Sequence, residues 1–179
     1  MRRLMLVLLG LVQLLNGQST DRVVFSGSLR SRVEAWDWFE GAANNSYVYS
    51  GNILKFGASQ QKKRWDWQIE LAAPFLLALP SDAVSTVGAQ GQLGLGATYY
   101  VANNNSRYAG MAFPKQTFLR YKRGRHSFRS GRFEFQDGME MVPQDATLAW
   151  VKRERVAQRL IGPFGWSHVG RSFDGSHYA

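Results

Sequence analysis

The chain has 179 residues and no cysteine, and its 22 Lys and Arg outnumber 13 Asp and Glu to give a formal charge of +9. The missing cysteines exclude disulfides, a lipidated N-terminal cysteine and thiolate metal sites. The basic excess calls for an anionic partner.

The N-terminus opens with Met1-Arg2-Arg3 and continues as an apolar run from Leu4 to Leu15, too short to cross a bilayer as a helix. This pattern predicts a signal peptide over residues 1–19, cleaved after Ser19 or, alternatively, Gly17. Removing Arg2 and Arg3 with it leaves +7 on the mature domain, residues 20–179. On an exported chain that charge points to anionic sugars, lipopolysaccharide or small anions, and no nucleic acid partner is expected. No later stretch is long and apolar enough for a transmembrane helix, so any membrane insertion has to use strands.

From Ser26 to Glu34 strict alternation sets Ser26, Ser28, Arg30, Arg32 and Glu34 on one face and Phe25, Gly27, Leu29, Ser31 and Val33 on the other. The strand can extend to Phe39. After an Asn-rich turn over 41–46, a second strand is predicted from Tyr47 to Ser59, its faces blurred by Gly51 and Gly57. Gln60 to Arg64 form a polar turn. The third strand is the cleanest: Trp65, Trp67, Ile69 and Leu71 oppose Asp66, Gln68 and Glu70.

Residues 72–92 look like a long loop, and a fourth strand is predicted from Leu93 to Val101. The glycines of 91–97 lack the order of a nucleotide-binding loop. The fifth and sixth strands, Met111 to Lys122 and His126 to Gln136, are joined by the tight turn Arg123-Gly124-Arg125. Phe128 and Arg129 break the alternation of the sixth strand, which implies a bulge there. Asp145 can cap a helix from Ala146 to about Leu160, with a strand over Thr147 to Val151 as the competing reading. A seventh strand is expected within Gly165 to Gly175.

Six or seven alternating strands behind a signal peptide predict an all-β fold, an antiparallel transmembrane β-barrel of the outer membrane. A small closed barrel is the rival to the N-terminal part of a larger one. The run Gly27 to Phe39, the pair Lys115-Gln116 … Leu119-Arg120-Tyr121 and Phe128 to Gly138, and Arg171 to Gly175 resemble the alginate export family of outer-membrane porins. That resemblance implies the N-terminal part of an 18-stranded barrel with an arginine-lined lumen that passes an acidic polysaccharide outward. Outer-membrane lipid and periplasmic export components are its implied partners.

In that frame Arg30, Arg32, Arg120 and Arg132 line the lumen as carboxylate-binding sites, with Glu34, Asp66, Glu70 and Glu134 among them. Arg129 joins the set if the bulge turns it inward. No nucleophile motif is present, and His126, His168 and His177 lack metal-ligand spacing. Neither an enzyme nor a cofactor is therefore expected. The alternative is a secreted β-sandwich that binds acidic carbohydrate, with Trp36, Trp38, Trp65 and Trp67 as stacking platforms.

Overall fold

The computed structural model describes residues 22–37, 46–84, 94–138, 141–157 and 161–179. The predicted signal peptide, the turn over 41–45 and Trp38 lie outside them. The strands are β1 (Val24–Asp37), β2 (Ser46–Gln61), β3 (Trp65–Leu77), β4 (Ala109–Gly110), β5 (Phe113–Arg123), β6 (His126–Phe133) and β7 (Phe173–Tyr178). They form one antiparallel sheet in the order β1-β2-β3-β5-β6-β7, with β4 beside β3.

The sheet is open, and this corrects the predicted barrel. Closure requires the first strand to pair with the last, but β1 and β7 end the strand order without meeting. Nothing supports an 18-stranded barrel. An open edge leaves backbone N–H and C=O groups that a bilayer core does not satisfy. The outer-membrane location, the lipid partner and the export partners fall with the barrel.

The described residues divide into two compact units, one of 28–37, 46–54, 73–84 and 94–112, the other of 22–27, 55–72, 113–138, 141–157 and 161–179. In the first, Tyr47, Tyr49, Leu76, Leu79, Ala83 and Ala97 form the buried core. The predicted fourth strand is instead a helix, α1 (Gly94–Ala102). Its alternation of small and large residues mimics a strand, yet Gly96, Ala97 and Tyr100 also fall on one helical face, and that face meets the core. A Cβ at Gly96 would stand 2.6 Å from the Tyr47 ring, so glycine is what lets the helix approach. The Gly96 N–H, free at the start of the helix, donates to the Tyr47 hydroxyl at 3.1 Å.

In the second unit β5 and β6 form the predicted hairpin, with Arg123 opposite His126. The expected helix also forms. α2 (Ala146–Val151) starts at Asp145, whose Oδ1 accepts from the Leu148 N–H at 2.9 Å, and it widens into a π-helical turn over Lys152–Ala157. The last strand begins later than predicted, and 165–172 are a loop. Ile69, Leu71, Leu119 and Phe128 remain about half exposed on one face of this part of the sheet, while the polar side chains of β3 and β5 occupy the other.

Candidate functional site

Residues directly opposite in an antiparallel ladder point to the same face. Asp66 pairs with Arg120, Arg120 with Arg129, and Arg129 with His177. These four side chains therefore make one row of ionisable groups across β3, β5, β6 and β7. Asp66 is only 3% exposed. It accepts from Arg120 Nε at 2.7 Å and pairs with Lys122 Nζ at 2.6 Å, so its single charge already serves two cations.

Arg129 has no carboxylate partner among the described residues. Its guanidinium carbon lies 3.9 Å from the centre of the Phe133 ring and 5.4 Å from that of Phe118, and those rings meet edge to face at 6.3 Å. Such cation–π contacts contribute about 0.5–2 kcal/mol each. They hold one plane of the guanidinium but accept none of its N–H groups, and Nε is buried without an acceptor. Burial, and secondarily the charge of Arg120, lowers the Arg129 pKa.

The next row along the ladder is Gln68, Phe118, Gly131 and Gly175. Neither glycine contributes a side chain, so the Arg129 guanidinium meets the Phe133 ring across Gly131, and the Phe135 ring lies 5.2 Å from His177 and 6.4 Å from Phe173 across Gly175. Gly131 has a φ of +126° and a Cβ there would lie 2.2 Å from the Thr117 carbonyl oxygen, whereas a Cβ at Gly175 would meet nothing within 4 Å.

Lys115 is not among the site residues expected from the sequence, and its position depends on a bulge. The β3–β5 register shifts between Glu70 and Leu71, opposite Gln116 and Pro114, so Lys115 is the extra residue. It is 1% exposed. Its Nζ pairs with Glu134 at 3.4 Å and donates to the Arg171 and Val169 carbonyls at 3.1 and 3.4 Å. Burial lowers its pKa, and Glu134 offsets part of that. Pro114, which cannot donate to a ladder, was the available signal for a bulge at this place.

The remaining predicted site residues are not gathered with Arg129. Arg132 pairs in the ladder with Thr117 and Asp174 on the opposite face, where its Nε and Nη2 donate to the Asp174 carboxylate at 2.8 and 2.6 Å. That hydrogen-bonded contact lowers the Asp174 pKa and raises that of Arg132. Glu134 is taken by Lys115. Arg30, Arg32 and Glu34 belong to the other unit, where Arg32 stands 3.6 Å from Glu34 and the Tyr49 hydroxyl donates to Glu34 at 3.4 Å. Burial lowers the Arg30 pKa, with Arg32 adding to it. Burial and the nearby Glu34 raise the Tyr49 pKa strongly.

Of the tryptophans proposed for stacking, Trp65 packs on Tyr121 at 4.6 Å on the face away from Arg129. Trp67 shares that face and donates to Gln60 at 3.1 Å, and Trp36 stacks on Tyr47 at 6.2 Å in the first unit. Phe118 and Phe133 are the rings beside the arginines. Among the described residues no group of three or more His, Asp and Glu side chains is placed to hold a metal ion.

No protein-family model, no curated protein and no solved structure matches this chain. Together with the open sheet, this overturns the resemblance to alginate export porins. A membrane channel is likewise withdrawn. The short motifs behind the resemblance are accounted for locally: the Gly-Arg pair at 131–132 by the close approach of β5 to β6, and Arg171 to Gly175 by the loop end that Lys115 holds at Arg171 and Ser172 and by the start of β7 at Phe173.

Proposed function

We propose that the chain binds acidic carbohydrate on the polar face of β3, β5 and β6, with Arg129 as the anchoring cation. The reading rests on one observation: Arg120 and Arg129 stand opposite each other, and the only carboxylate of their row is already paired with Arg120 and Lys122. Like charges directly opposite in a ladder are destabilising. The charge of Arg120 adds to burial in lowering the Arg129 pKa. A ligand carboxylate between the two guanidiniums removes that repulsion and supplies acceptors to Arg129. Guanidinium matches a carboxylate through paired N–H groups, and the partly exposed ring of Phe118 beside it gives an apolar surface for the C–H face of a sugar.

Calorimetric titration with an acidic oligosaccharide and its neutral, carboxyl-reduced counterpart tests this. The acidic ligand is expected to bind, the neutral one to bind at least tenfold more weakly, and Arg129→Gln to remove most of the difference. Equal binding of both ligands, or an unchanged affinity in Arg129→Gln, overturns the proposal.

A further inference from the structure

Among the described residues no strand pairs with the outer edge of β7, and its hydrogen-bonding pattern tells which groups face outward. Ser127 and Ala179 exchange both backbone hydrogen bonds, at 2.8 and 2.9 Å. In an antiparallel ladder such pairs alternate with pairs that exchange none. The register from Phe128 opposite Tyr178 to Phe133 opposite Phe173 is unbroken. His177, Gly175 and Phe173 therefore bond to β6, while the N–H and C=O groups of Asp174, Ser176 and Tyr178 point away from it. No further strand takes them among the described residues. An edge of this kind is a template for another strand.

From the sequence of β7 we infer that its partner is the β7 of a second copy, paired antiparallel about a two-fold axis at Ser176. Only this register uses all three outward residues on both strands: Ser176 meets Ser176 of the second copy, and Asp174 meets its Tyr178. Each of these pairs exchanges two backbone bonds. A shift that brings His177 against its own copy sets two imidazoles face to face, and a shift the other way leaves Tyr178 beyond the end of the opposing strand. At Ser176 no like charges oppose each other, and Asp174 is already neutralised by Arg132.

On the polar face this register sets His177 of one copy opposite Gly175 of the other. A Cβ at Gly175 would meet nothing within 4 Å, so residue 175 itself puts nothing in the way of the incoming imidazole, which on its own chain lies 5.2 Å from the Phe135 ring. Each copy thereby places a histidine beside Gly175 of its neighbour, and the polar faces of the two sheets become continuous. Association does not depend on the carbohydrate reading, because it rests on the strand edge alone.

Sedimentation equilibrium of the full chain in detergent-free buffer, over a wide concentration range, is expected to give twice the mass of one chain. Ser176→Pro removes an outward N–H without touching the β6 ladder, so it is expected to give a monomer with an unchanged circular dichroism spectrum. Ser176→Cys is expected to cross-link into a disulfide dimer on oxidation, since bonded pairs hold their Cα atoms about 5.5 Å apart, within disulfide reach. Phe173→Cys, far from its own copy in this register, is expected not to cross-link. A parent chain that stays monomeric, a dimer that survives Ser176→Pro with Ser176→Cys failing to cross-link, or cross-linking by Phe173→Cys alone overturns the inference. The second outcome places any association on another surface, such as the exposed apolar face.

Discussion

Arg129 stands directly opposite Arg120 across the β5–β6 ladder, and Asp66, the one carboxylate of that row, lies on the far side of Arg120. The arrangement is asymmetric: Arg120 is held by a buried acceptor and Arg129 by two rings. Removing the acceptor leaves Arg120, Lys122 and Arg129 together with no counter-charge. Asp66→Asn is expected to cost about 1–3 kcal/mol, less than the full scale of breaking a buried ion pair, because Arg120 and Lys122 are each about a third exposed. Urea unfolding should show that loss, and it should shrink in added sulfate and in the double variant with Arg120→Met. A loss unaffected by both would mean that Asp66 acts through packing rather than charge.

The two glycines of the row that runs from Gln68 to Gly175 are expected to respond very differently. At Gly131 the backbone is in a region that L side chains avoid and a Cβ collides with the Thr117 carbonyl, so Gly131→Ala is expected to destabilise by about 3 kcal/mol or more. At Gly175 nothing stands in the way, and Gly175→Ala is expected to change stability by less than about 1 kcal/mol. Thermal unfolding of both variants decides it, and similar losses at the two positions would contradict the geometry.

What was legible in the sequence was local periodicity and punctuation. The start of β3 at Trp65, the Arg123–Arg125 turn and the Asp145 cap all lie where alternation, glycine and a capping carboxylate put them. What was not legible was long-range pairing. The break in alternation at Phe128 and Arg129 suggested a bulge in β6, but β6 is regular and the bulge lies across β5, at Lys115. With β6 regular, Arg129 and Arg132 lie on opposite faces, against the expectation that a bulge could turn Arg129 toward the same lumen as Arg132, and only the register against β3 reveals that Arg129 shares its face with Asp66. Alternation in 93–101 was compatible with either period, and packing of Gly96 against Tyr47 selected the helix. The expected barrel, of which six or seven strands were read as the N-terminal part, rested on alternation, a signal peptide and a family resemblance, whereas closure is a property of the two outermost strands, about which no single segment carries information.

Arg132 tests the division of the arginines between faces. Its bidentate contact with Asp174 lies on the face away from Asp66 and at the surface, where ion pairs are screened by water and salt. Arg132→Ala is therefore expected to leave binding of an acidic oligosaccharide unchanged, in contrast to Arg129→Gln. It should also raise the Asp174 carboxyl pKa toward its ordinary value, because the hydrogen-bonded guanidinium is what lowers it. Carbon-detected NMR titration of the Asp174 carboxyl follows that shift, and an unmoved midpoint would show that Arg132 is not its partner in solution.

Lys115 ties the loop over 161–172 to the sheet through the Val169 and Arg171 carbonyls, and the Ser172 hydroxyl completes the contact by donating to the Lys115 carbonyl at 2.7 Å. Lys115→Ala leaves those carbonyls and Glu134 without their donor and is expected to cost about 3 kcal/mol, with faster amide exchange confined to 163–172. The same burial sets a pH dependence. Because the folded-state pKa is lowered, the unfolded chain binds more protons between that lowered value and the free lysine value of about 10.4. Stability should therefore rise with pH across that window. Above about pH 10 the raised Tyr49 phenol acts in the other direction, since the unfolded chain gives up its proton first. Urea unfolding at a series of alkaline pH values is expected to show the rise in the parent chain and its loss in Lys115→Met. A rise that persists in Lys115→Met would assign it to another group.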